Sequence, residues 1–169
     1  AVQAIVKERE ANGPYKGIAV SAYQGVIDWA AVKESGVDFA IIRALTWSNS
    51  LNYYVIDPYF EYNVRSAKAN GIDVGVYLFS YAFNVDEIRE EVDFFHNSAE
   101  MKRLRADGIK FDYPVYIDFE WNTILEHTTY SQRTEMLRTG MIILEKYGYF
   151  PGFYSSMSWA LNQYDAAGL

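Results

Sequence analysis

Short, continuous apolar runs alternate along this chain with segments whose apolar residues return every three or four positions. Gly17 to Ser21 is the first run, and Val37 to Ala44, Ile72 to Phe79, Tyr113 to Phe119 and Gly152 to Ser156 follow it. Each has the length of a strand, and the near-continuous apolar character is that of strands covered on both faces. Helix signals lie between them. Asp28 is placed to cap a helix with Trp29 and Val32 on one face, ended by Gly36. Asp57-Pro58 predicts the start of a second helix, a cap followed by proline at the first helical position. Its stripe is Phe60, Val64 and Ala67, and Asn70-Gly71 is its stop. Asn84 and Glu87 have capping-box spacing, after which Ile88, Val92, Phe95 and Ala99 repeat at helical period. Another helix is predicted from Tyr130 to Tyr147, with Thr134, Leu137, Met141 and Leu144 on one face, and a last one within Ser158 to Tyr164.

Strand and helix in regular alternation predict an α/β fold, a parallel sheet covered by helices. A doubly wound sheet and a barrel both fit that order. No strand is followed by GxGxxG or GxxxxGK[ST], which disfavours the nucleotide-binding versions.

Composition narrows the chemistry. The chain has 169 residues and no cysteine, enough for one domain with a core that needs no staples. Fifteen basic against 22 acidic residues give a net charge of −7, which argues against tracking a nucleic-acid backbone. The lack of Cys excludes disulfides, thiol nucleophiles and thiolate zinc sites. The two histidines, His96 and His127, lack metal-ligand spacing, so no metal or cofactor is expected. No apolar run approaches the ~20 residues of a membrane span. Ala1 to Glu10 carries Lys7, Glu8, Arg9 and Glu10 where a signal peptide needs an apolar stretch. Lacking an initiator Met, the chain reads as a processed or excised form. Residues 1–16 are read as an N-terminal extension and 17–169 as one domain.

The most informative segment is YPVYIDFEW, Tyr113 to Trp121. Side chains alternate along a strand, so Tyr116, Asp118 and Glu120 share one face and Val115, Ile117 and Phe119 the other. With the apolar set against helices, the carboxylates face the barrel interior or the C-terminal mouth of the sheet, where active sites of parallel α/β folds lie. Two carboxyls this close repel, and burial among aromatics raises at least one pKa. A proton donor beside an anion is what glycosidic cleavage requires. The competing explanation is a solvated strand end whose charges meet nearby Lys or Arg. Aromatic residues are abundant, 15 Tyr and 4 Trp among them. Tyr77, Phe79, Tyr81, Tyr23, Trp47, Trp121 and Tyr154 lie on or beyond strand ends, where sugar rings could pack on them.

These segments carry a resemblance. GIAVSAYQGVIDWAAVKESGVDFAIIRA, DPYFEYN, GIDVGVYLFSYA, YPVYIDFE and GYFPGFYSS resemble, in order, the glycoside hydrolase family 25 lysozymes, the Chalaropsis-type N-acetylmuramidases. The resemblance implies an irregular TIM-like β/α barrel and hydrolysis of the MurNAc–GlcNAc β-1,4 bond of peptidoglycan, with a bacteriolytic role in secreted, cell-wall-associated or phage enzymes. By position it implies Glu120 as general acid/base and Asp118 as the carboxylate that orients the substrate's N-acetyl group. It places Gln24, Arg43, Tyr77, Tyr81 and Trp121 along a glycan groove. The implied partner is the peptidoglycan glycan strand; for the chain itself a monomer is expected.

Two departures stand out. The family's first strand reads G-I-D-V-S, and Ala19 occupies the position of that Asp. This loss predicts shifted pKa values at Asp118 and Glu120 and impaired catalysis, and it motivates an alternative, a non-catalytic module that binds cell-wall glycan. The family's last strands, with a further Asp and a W-Q-Y segment, have no counterpart after Asp165, so the barrel is expected to lack its closing strands.

Overall fold

The computed structural model describes residues 14–169. The 1–16 extension therefore falls largely outside the described residues. Six strands form one sheet: β1 (Gly17–Val20), β2 (Phe39–Ser48), β3 (Tyr53–Ile56), β4 (Asp73–Phe79), β5 (Val115–Asp118) and β6 (Pro151–Tyr154). The parallel strands run in the order β1-β2-β4-β5-β6, and β3 pairs antiparallel with the far end of β2. The sheet is mostly parallel and barrel-like, and among the described residues it stays open between β1 and β6.

Three of the expectations are corrected. β2 continues through Ser48 where the apolar run ends at Ala44, because its last residues gain a partner in β3. The spacing Ile88 to Ala99 is not one helix. Ser98 closes α3 (Val85–Asn97) and its hydroxyl accepts the Met101 amide to open α4 (Ala99–Ala106). Asp57 does not cap its helix. α2 spans Phe60–Ala69 with Tyr59 as its cap residue, and the Asp57 carboxylate accepts the Tyr59 amide together with Arg43 and the Ala22 amide.

The remaining helices are α1 (Trp29–Glu34), capped by Asp28, α5 (Tyr130–Lys146) and α6 (Met157–Asn162). Strand alternation divides the sheet into two faces. Ala40, Ile42, Val74, Val76, Leu78, Val115 and Ile117 are buried in a core with Phe60 and Val64 of α2, Ile88, Val92 and Phe95 of α3, and Leu137 and Leu144 of α5. Gly140 brings α5 close to β5, since a Cβ there would stand 2.4 Å from Ile117 Cδ1. The opposite face carries Ala19, Ile41, Tyr77, Tyr116 and Asp118 and is hollow. A register shift between Arg43 and Leu45 marks a bulge in β2 against β4, the kind of irregularity that re-aims side chains at a sheet's mouth.

Candidate active site

The hollow face holds a cleft of about 460 Å³ lined by Ala19, Ile41, Tyr77, Tyr116, Asp118, Glu120 and Tyr154. Parallel register sets its layers. Arg43, Tyr77, Tyr116 and Gly152 lie level across four strands, and Phe79, Asp118 and Tyr154 lie level one step nearer the C-terminal mouth. Gly152 is required by the Tyr116 ring, whose Cδ1 would meet a Cβ at 2.7 Å. A hollow of about 500 Å³ at the other end of β5 lacks a free carboxylate. Its Asp112 is held by Lys68 at 2.6 Å and by the Val74 amide.

Asp118 and Glu120 meet in the cleft with different surroundings. Asp118 is 7% exposed and its Oδ1 is buried without a hydrogen-bond partner. Burial, with the Glu120 charge adding to it, raises its pKa to about 7. Glu120 is half-buried, and its Oε2 accepts the Ser156 amide at 2.9 Å. That amide sits where the chain leaves β6 for α6. The turn is anchored by Tyr164, which is 1% exposed, bonds through its hydroxyl to Ser155 and meets Phe119 edge-on. Tyr77 is half-buried, and burial pushes its hydroxyl up to about 12, so it is a neutral donor at any working pH.

Tyr81 and Trp121 stand in an aromatic wall beyond the ends of β4 and β5. Tyr81 lies 5.3 Å from Trp121, 5.5 Å from Trp47 and 5.0 Å from Phe79 between ring centroids. Phe83 continues the wall, 4.9 Å from Trp121, with His127 edge-on at 5.0 Å.

Gln24 and Arg43 each have partners within the protein. Gln24 is folded into its own turn: Ser21 and Gln24 form a capping box, and the Gln24 side-chain oxygen accepts the Ser21 amide at 2.8 Å. Arg43 is tied down by a 2.8 Å ion pair to Asp57 and lies 5.3 Å from the Tyr23 ring centroid. Of the five implied groove residues Tyr77 lines the cleft itself, and Gln24, Arg43, Tyr81 and Trp121 lie outside its lining. His96 stacks on Tyr147 at 3.7 Å, away from the cleft.

Two supports, the partners of Asp57 and the buried Glu91, escaped sequence reasoning. Asp57 is fully buried and accepts Arg43, the Ala22 amide at 2.9 Å and the Tyr59 amide at 3.0 Å, joining β2, the turn after β1 and the start of α2. Tyr116, which strand alternation had placed on the carboxylate face, lines the cleft one layer behind Asp118. Glu91 of α3 is buried on the apolar stripe, three residues after Ile88, and a carboxylate at such a position is a readable signal. Among the described residues, no group of three or more His, Cys, Asp or Glu is arranged to hold a metal ion, and no helix is long and apolar enough to cross a membrane.

An open, mostly parallel α/β barrel with a carboxylate pair at its C-terminal mouth and an aromatic wall beside it defines the class. Residues 18–169 match the model of the glycosyl hydrolases family 25, and the chain belongs to that family. It is 36% identical over 80 residues to lysozyme M1 of Streptomyces globisporus, a match covering 47% of this chain and 25% of that protein. A family 25 glycosyl hydrolase of Bacillus anthracis has a similar structure, with a TM-score of 0.70 at 26% identity, covering 90% of this chain and 64% of the other. The modular autolysin LytC of Streptococcus pneumoniae, solved with a synthetic peptidoglycan ligand, superposes with a TM-score of 0.68 at 22% identity. That match covers 88% of this chain and 34% of LytC. The chain thus spans a quarter of its curated relative and about a third of LytC.

Proposed function

We propose that the chain is a peptidoglycan hydrolase of the muramidase type, cleaving the MurNAc–GlcNAc β-1,4 bond at the cell wall or outside the cell. The observation that carries this reading is the placement of Asp118 and Glu120 in one cleft beside an aromatic wall, in a chain of this family. Lysozyme M1 and the peptidoglycan-bound LytC support the substrate class.

In this reading Glu120 is the general acid/base. Glu120 lines the cleft, within reach of a glycosidic oxygen laid over it. Glu120 gives its proton to the glycosidic oxygen as the bond from C1 breaks, and the substrate's acetamido oxygen closes on C1. Asp118, which lines the same cleft, holds the acetamido N–H. Water then opens that intermediate, with Glu120 as base and configuration retained. Tyr77, Tyr81 and Trp121 bind the sugars, whose apolar faces suit aromatic rings and whose hydroxyls suit the Tyr77 hydroxyl.

Ala19 favours a second reading, a wall-binding module without turnover, because it puts a methyl group in the cleft wall where the family resemblance places a carboxylate. Turbidity of a purified cell-wall suspension separates the two. Clearing by this chain, accelerated by Ala19→Asp and lost in Glu120→Gln, is the outcome of the hydrolase reading. Wall binding with no clearing by either form, unchanged by Glu120→Gln, supports the module.

A further inference from the structure

We infer that Glu91 is a positioning residue for the glycan cleft, clamping the segment that joins β4 to α3 so that Tyr81 stands ready in the aromatic wall. The inference rests on the functional reading above for the nature of the ligand, and on geometry for the clamp. Glu91 is 2% exposed, one turn after Ile88 on the side of α3 that packs into the core. A carboxyl is costly to bury unless its oxygens are satisfied. Both are: the Ser80 hydroxyl donates to Oε2 at 2.7 Å and the Tyr81 amide donates to Oε1 at 2.7 Å. The Ser80 hydroxyl in turn accepts the Ala82 amide at 3.3 Å.

The clamp reaches the carboxylate strand by a backbone bond, since the Ser80 amide donates to the Asp118 carbonyl at 3.0 Å. One turn earlier on α3, Glu87 does similar work. Its Oε2 accepts the Phe83 amide at 2.7 Å and its Oε1 the Asn84 side-chain amide at 2.8 Å. Two carboxylates on one helix thus hold the residues that carry Tyr81 and Phe83, the rings that meet Trp121. Glu91 is the buried member and bonds directly to the Tyr81 backbone. Its effect on glycan binding is therefore exerted through Tyr81, and it touches no substrate itself.

The test compares Glu91→Ala and Glu91→Gln with the unaltered chain by amide exchange at Tyr81 and Ala82, and by affinity for a soluble GlcNAc–MurNAc tetrasaccharide read from tryptophan fluorescence. Glu91→Ala speeds exchange at Tyr81 about tenfold or more and weakens affinity per folded molecule by a similar factor. Glu91→Gln keeps an acceptor for the Tyr81 amide and returns both to within about threefold. A folded Glu91→Ala with unchanged exchange at Tyr81, or with unchanged affinity, overturns the inference. So does a Gln variant no better than Ala. If Glu91→Ala does not fold, Ser80→Ala takes its place: it cuts one of the two links and raises exchange at Tyr81, and no rise overturns the inference. If the unaltered chain binds no glycan, the functional reading fails, and exchange at Tyr81 still decides whether Glu91 holds this segment.

Discussion

Asp118 and Glu91 both bind their protons more tightly in the folded chain than an exposed carboxyl does, each with a pKa near 7 raised chiefly by burial. Between about pH 4 and pH 7 the unfolded chain has released protons that the folded chain retains, so stability falls as pH rises through that window. Asp118→Asn removes one of these contributions. Its melting temperature should match the unaltered chain near pH 4 and exceed it above pH 7, by a free energy on the order of 4 kcal/mol at most. A melting temperature that drops at pH 7 would contradict this. Ala19→Asp acts the other way on stability, adding a third carboxylate to the cleft, while raising the rate of glycan cleavage about tenfold or more. Assays of both quantities on one preparation should show activity rising as stability above pH 7 falls. At this scale, alternation made Tyr116, Asp118 and Glu120 legible as one face. The placement of Gln24 was hidden because Ser-x-x-Gln also spells a capping box, and the local hydrogen bond is the one the structure makes.

Elements were legible where periodicity was strong, as in β4, β5 and the stripe of α2. Two were missed for physical reasons. β3 is four residues long and closes a hairpin with the far end of β2 across residues 49–52, a connection without the Asn-Gly or Asp-Gly pair that marks a tight hairpin in sequence. α4 was merged with α3 because apolar spacing runs on through Ser98, whose cap role is visible only as a hydrogen bond to Met101. Asp57 joins three elements, and its misreading as a helix cap follows from the Asp-Pro signal being correct in place and incomplete in partners. Asp57→Ala strands Arg43 beside two unsatisfied amides. It should cost about 3–5 kcal/mol in urea unfolding, as breaking a buried pair does. A loss below about 1 kcal/mol would show that water replaces the carboxylate at no structural cost.

At the scale of the whole sheet, two edges stand open among the described residues. β1 and β6 each lack a partner on one side among the described residues. Beside β6, Phe150, Tyr154, Met157 and Leu161 are 75%, 56%, 74% and 71% exposed. Open edges flanked by apolar side chains promote association. Light scattering on concentration should rise, and Phe150→Lys with Met157→Lys should suppress it; identical scattering from both forms would assign the association elsewhere. The alternation of runs and helices made the parallel α/β class legible from sequence. The division of the sheet into a helix-covered face and a hollow one needed the register. The central claim is that this hollow face breaks a glycosidic bond with Glu120. The most direct measurement is the amount and identity of new reducing ends released from purified peptidoglycan. The account gives MurNAc ends from this chain, more from Ala19→Asp, and none from Glu120→Gln in either background. Reducing ends that persist after Glu120→Gln, or none from the Ala19→Asp chain, would contradict it.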